Sequence, residues 1–148
     1  VVDTTSKGKS ITLAGDVAKG AFPQLVCEQL QIDVSVAAWA GLASVVGHLF
    51  PVFARFRGGK GVATAFGALL LLSPPAAIGT LAVFAVGANA TRFVSVGSMA
   101  AACAMPFALS AFDAPWPVVR SGIAISIAIL LKHRENLVRL LQHREPRF

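Results

Sequence analysis

Residues 55–61 read RFRGGKG, so Arg55, Arg57 and Lys60 stand among Gly58, Gly59 and Gly61. Three cations and three glycines in seven residues are out of place in a largely apolar chain. Glycine lets a backbone approach a ligand closely and take up positive φ. Successive N–H groups can then form a concave nest for an anion. A helix starting near Val62 would aim its N-terminal dipole at the same point. With Arg57 and Lys60 adding charge, the chemistry is capture of a phosphate or acyl phosphate. This is not a Walker A loop, whose GxxxxGK must be followed by Ser or Thr, because Lys60 is followed by Gly61. The SKGKS run at 6–10 fails as well, since its required first glycine falls on Asp3. Taken alone, the stretch also fits a basic turn between two helices.

A second group lies in KHRENLVRL at 132–140. His133 and Asn136 are spaced i,i+3 on one helical face, with Arg139 three further on. Together with Lys60 they make a set able to hold a phosphomonoester, although a solvated basic helix would read the same way. His48 precedes LFP and is either a base or a hydrogen-bonded helix-end histidine. Asp16 and Lys19, in GDVAKG at 15–20, are an ion-pairable couple on one face of an apolar stretch. Such a couple faces protein or a water-filled cavity, so it either walls a site or locks helix packing. Several familiar sites are missing. There is no GxSxG and no HExxH. HxxxxD fails because His48, His133 and His143 are followed five residues on by Phe53, Val138 and Phe148. No two carboxylates form a catalytic pair, which leaves positioning and phosphate electrostatics. Nothing in the pattern demands a metal or a cofactor. Cys27 and Cys103 sit in apolar runs, outside any CxxC or Cys/His cluster, and read as packing residues.

Elements must hold these groups in place, and composition says which kind. Of 148 residues 55% are hydrophobic and 14% charged, and the mean hydropathy is +0.71. Soluble domains carry about 25% charged residues, so the chain reads as one all-α, multi-pass membrane domain over 1–148. The net charge of +6 lacks the interleaved aromatics of a nucleic-acid surface and fits contact with anionic head groups. Polar interruptions bracket six apolar stretches at 11–31, 34–53, 62–73, 75–91, 93–112 and 116–131, the third short enough to be half-buried or re-entrant. Alternating the loops puts Lys7, Lys9, Arg55, Arg57, Lys60, Arg92, Lys132, Arg134, Arg139, Arg144 and Arg147 on one side, eleven of the thirteen cations. Asp33, Asp113 and nearby Glu28 mark the other. Arg120 lies near that far end of the last span and snorkels. By the positive-inside rule the cationic side is cytoplasmic. SPP at 73–75 breaks the chain, Trp116 marks an interface, and the tail opens as an amphipathic helix with Leu137, Leu140 and Leu141 on its apolar side. No internal repeat is visible. The chain starts at Val1 without a cleavable leader, and VVDTTSKGKS reads as the middle of a longer protein.

GHLFPVFARFRGGKGVAT at 47–64 closely resembles the second signature of the acyl-phosphate-dependent bacterial glycerol-3-phosphate acyltransferases, the PlsY family. LKHRENLVRLLQHREPRF resembles the third, roughly HxxNIxRLxxGxE, and GDVAKG matches a further recurrent segment. The resemblance implies a multi-pass inner-membrane enzyme. It moves a fatty acyl group from acyl phosphate to the 1-hydroxyl of sn-glycerol 3-phosphate, giving lysophosphatidic acid and phosphate. It further implies that Gly58, Gly59 and Gly61 bind acyl phosphate. Lys60, His133 and Asn136 hold substrate phosphate and glycerol, Glu145 is a tail anchor, and Asp16 and Lys19 lie beside the site. Two features depart from the pattern. The first signature, a GSGNPGATN-like run followed by arginine, is absent, with Asp3 about where that arginine is expected, and His143 replaces the third signature's usual glycine. One N-terminal span fewer than the family's seven matches the six counted here. An inactive fragment is therefore one alternative. Another is a small anion transporter or channel-like module using the basic glycine loop as a filter, although the polar groups gather at one face rather than at midplane.

Overall fold

Residues that interrupt the apolar runs also end the helices. The computed structural model describes residues 4–51 and 59–148, with side chains from residue 8 onward. Its described elements are all helical: α1 (Thr4–Gln29), α2 (Val34–Leu49), α3 (Val62–Leu72), α4 (Pro74–Thr91), α5 (Val94–Ala111), α6 (Trp116–Lys132) and α7 (Arg134–Leu141). The first six match the six expected apolar stretches, and α7 is the expected tail helix.

Each boundary has a local cause. The Asp33 carboxylate caps α2 by accepting from the Ser35 N–H at 2.8 Å, which satisfies one orphan donor of the first turn. Ser73 alone joins α3 to α4, and α4 then opens on Pro74 and Pro75, where a missing N–H costs nothing. Arg92 ends α4 in the left-handed region at φ 65°. His133 both closes α6 and opens α7.

The helices pack through backbone proximity rather than bulk. Gly20 of α1 lies against the Thr64 carbonyl of α3, and Gly67 of α3 against the Val17 carbonyl of α1, with no room for a Cβ at either. Gly97 of α5 sits in the same way on Phe84 and Ala88 of α4. Small residues of this kind let helices approach in lipid, where no hydrophobic force drives them together. Two hydroxyls add cross-links: Ser121 donates to the Ala38 carbonyl of α2 at 2.7 Å, and Ser126 to the Ala102 carbonyl of α5 at 2.6 Å. Large apolar side chains face outward, among them Phe22, Trp39, Ile78, Val86 and Phe107, an exterior suited to hydrocarbon rather than water. Among the described residues Val94–Ala111 has the length and hydropathy of a full span, while Val34–Leu49 and Val62–Leu72 are apolar but shorter. One expectation is corrected. Cys103 is exposed on the outer face of α5 rather than packed, because Ala101, Ala102 and Met105 take the inward positions; both cysteines are free.

Candidate active site

The first half of α1, the end of α2, the start of α3, the middle of α4, the first two thirds of α5 and the end of α6 meet toward one end of the bundle. They line a half-open cavity of about 450 Å³. Asp16, His48, Gly59, Lys60, Gly61, Ser98 and His133 line its polar end. Phe66, Leu81, Phe84, Ala101, Ala102 and Met105 line the remainder.

Gly61 turns the chain into α3 at φ 78°. A Cβ there would press on Leu49 at 2.9 Å and Val45 at 3.2 Å, so glycine is required by both conformation and space. The N–H groups of Val62, Ala63 and Thr64 then have no partner within their own helix. Val62 and Ala63 line the cavity, which directs the positive end of α3 toward it. Lys60 stands beside them. Partial burial holds its ammonium below the ordinary lysine value, against the pull of the Glu145 carboxylate and with added repulsion from Arg139. Lys60 and Gly59 also border a second cleft of about 440 Å³, lined by Phe50, Leu131, Lys132 and Arg134 among others.

Asp16 links three of the expected residues. Its carboxylate accepts from the Lys19 ammonium at 3.0 Å and lies 3.6 Å from His48 Nδ1. The opposite edge of the His48 ring rests on Gly59, where no Cβ would fit. Asp16 therefore steadies a ring that in turn supports the glycine loop. Lys19 is 63% exposed and does not line the cavity; its part is to pair with Asp16.

His133 sits where α6 bends into α7 and is 1% exposed. Its Nδ1 lies 2.8 Å from the Ile129 carbonyl. A neutral ring must donate there, which leaves Nε2 as an acceptor. Burial lowers its pKa below the ordinary histidine value; the Ile129 carbonyl opposes that and nearby Lys60 adds to it. One turn on, Asn136 is 2% exposed. Its Nδ2 donates to Glu145 Oε1 at 2.6 Å, while its Oδ1 is buried with no partner among the described residues. Arg139 Nε donates to Glu145 Oε2 at 2.8 Å. Burial alone would raise the Glu145 pKa, but nearby Ser95 and the hydrogen bonds from Asn136 and Arg139 hold it at about 2. The tail continues across the α4–α5 corner, with the Phe148 N–H donating to the Arg92 carbonyl and Arg147 stacking on Phe93.

Of the expected site residues, then, six line one cavity, and Asn136 and Glu145 form a hydrogen-bonded layer behind it. Arg57 and Gly58 lie outside the described residues. Ser98 and Ser95 were not expected. They share one face of α5 at i,i+3, Ser98 on the cavity and Ser95 at Glu145, and only that spacing in VSVGSM could have flagged them.

Residues 4–143 match the family model described as Glycerol-3-phosphate acyltransferase. The chain is 42% identical over 137 residues to the glycerol-3-phosphate acyltransferase of Geobacter sulfurreducens, covering 93% of this chain and 71% of that one. It is 40% identical over 149 residues to that of Rubrobacter xylanophilus, covering 100% and 75%. Its fold matches a crystal structure of PlsY (YgiH), an integral membrane glycerol 3-phosphate acyltransferase in its glycerol 3-phosphate form, with TM-score 0.89 and 37% identity over 96% of this chain and 72% of that one. The lysophosphatidic acid form of that protein matches equally well, over 73% of its chain. Agreement this long, in sequence and in fold together, makes the chain a member of the glycerol-3-phosphate acyltransferase family.

Proposed function

We propose that the chain transfers a fatty acyl group from acyl phosphate to the 1-hydroxyl of glycerol 3-phosphate in a bacterial inner membrane. The products are lysophosphatidic acid and inorganic phosphate. The observation that carries this reading is the cavity itself. One end presents Lys60, His133 and the α3 N-terminus, and the rest is apolar. An anion joined to a long hydrocarbon matches both halves.

In this mechanism the acyl phosphate lays its chain along Phe66, Phe84 and Met105 and its phosphate against Lys60 and the first N–H groups of α3. Glycerol 3-phosphate binds at Lys60 and His133, with Asn136 and Glu145 supporting that end from behind. The attacking hydroxyl oxygen forms a bond to the acyl carbonyl carbon, and the carbon–oxygen bond to phosphate breaks. The electron pair leaves with phosphate, where Lys60 and the backbone N–H groups stabilise the growing charge. The hydroxyl proton goes to His133 Nε2 or to the substrate's own phosphate. His48 and Asp16 hold the loop in register. The cation-rich ends of the helices support a site at the cytoplasmic face, with α1–α6 read as six membrane segments.

The test is membranes containing the chain, supplied with palmitoyl phosphate and labelled glycerol 3-phosphate, with Lys60→Ala beside them. Labelled lysophosphatidate from the first and not the second supports the reading. No product from folded protein, or product from both, would sink it.

A further inference from the structure

The apolar part of the cavity has a floor. Along α5 the lining runs from Val94 through Ser98, Ala101 and Ala102 to Met105, about 16 Å by helical rise. Thr80, on the facing wall of α4, turns its hydroxyl back on the Ala76 and Ala77 carbonyls at 3.0 Å each. It therefore offers the cavity a methyl group, and the deep wall stays apolar.

Met105 is 5% exposed and closes the far end. Directly beyond it lies a separate void of about 10 Å³ among Ala65, Leu69, Leu72, Leu109, Gly122 and Ile125. Met105 lines both spaces and is the partition between them. The void is at the size limit for one water and is lined mainly by apolar groups, which keeps it dry. Shortening the partition would open it to a hydrocarbon chain, whereas filling the corridor above it would shorten the space. Ala101 and Ala102 set the width of that corridor because they carry no more than a methyl each.

We infer that Met105, at the floor of the cavity, sets the acyl-chain length this protein accepts, with Ala101 as the width control above it. The inference rests on the acyltransferase reading. Pocket contacts of one methylene discriminate by about 10-fold or more, so a changed floor is readable as a changed preference. Met105→Ala should raise the preference for stearoyl over myristoyl phosphate about tenfold. Ala101→Leu should shift it the other way by a similar factor. Met105→Leu, which conserves volume, should leave it near the original value.

The experiment measures turnover on lauroyl, myristoyl, palmitoyl and stearoyl phosphate for all four proteins in lipid nanodiscs. In parallel it measures binding of lysophosphatidates with the same four chains, so that a preference is read even from a variant with slow turnover. Opposite shifts for Met105→Ala and Ala101→Leu support the floor. Binding and turnover with an unchanged chain-length profile in both variants would overturn it and leave the enzyme reading intact. An original chain that neither turns over nor binds any of the four would overturn the acyl reading and the floor with it.

Discussion

The two ends of the cavity are built by different means. The polar end hangs on breaks in helices. Gly61 is a left-handed turn, His133 is a hinge between α6 and α7, and Glu145 comes from the tail beyond the last helix. The apolar end is made of unbroken helix, where Ala101, Ala102, Met105 and Phe84 are core positions of α4 and α5 or their near neighbours. Breaks can present backbone N–H groups to a ligand, which an intact helix in lipid cannot do. Intact helices can present a fixed hydrocarbon wall, which a turn cannot. The difference assigns rate to one end and both stability and chain length to the other.

The widest separation comes from Lys60→Ala. Removing a charge that stabilises a leaving phosphate should cost about 10³-fold in kcat/KM, with the thermal unfolding midpoint in detergent little moved because Lys60 is only partly buried. Met105→Ala should do the reverse. Loss of a buried methionine side chain costs about 2–5 kcal/mol of stability, while turnover on the best acyl phosphate stays within a few-fold. If Met105→Ala abolished turnover with every chain length, or Lys60→Ala unfolded the protein, the division between the ends would be wrong.

Much of this was legible in the chain. The six apolar stretches matched α1–α6 because Pro74, Pro75, Pro117, Asp33 and Arg92 break an apolar run for local reasons that a sequence displays. The glycine loop stood out because glycines and cations cluster in an apolar chain, and Gly59, Lys60 and Gly61 line the cavity. The floor was not. Met105 looks like any core residue, and its role depends on which void lies beyond it. Ser98 was missed because Ser121 and Ser126, in the same kind of setting, only cross-link helices. For Asp16 and Lys19 a spacing of three shows that the two meet but not which of them faces the cavity, and only Asp16 does.

Gly61→Ala sharpens the comparison at the turn. A left-handed alanine costs about 1–2 kcal/mol, and its methyl would also press on Leu49. The KM for acyl phosphate should rise about tenfold with kcat less affected, as steady-state kinetics at varied acyl phosphate would show. An equal fall in kcat would mean that the turn shapes the transition state and not only the cradle.

The smallest effect is in acid and concerns the layer behind the polar end. The Glu145 carboxyl is held down to about 2 in the fold, below its ordinary value of 4.5. A lowered carboxylate pKa stabilises the fold above the unfolded value, and that contribution is lost as pH falls from about 4.5 toward 2. His133, also lowered, acts in a higher window. Below its ordinary value of 6.5 the unfolded chain takes up a proton that the fold refuses, so stability again falls with pH. The charged groups around this pair are Arg139 and Glu135 on α7 and Lys60 on the loop. Glu145→Gln should therefore lower the unfolding midpoint at neutral pH and flatten its dependence below about pH 4.5, while the slope just below 6.5 remains. His133→Gln should remove that upper slope and keep the lower one. Midpoints measured across both windows check this, and a Glu145→Gln protein that lost both slopes would show that the two groups titrate as one unit rather than as a site and its support.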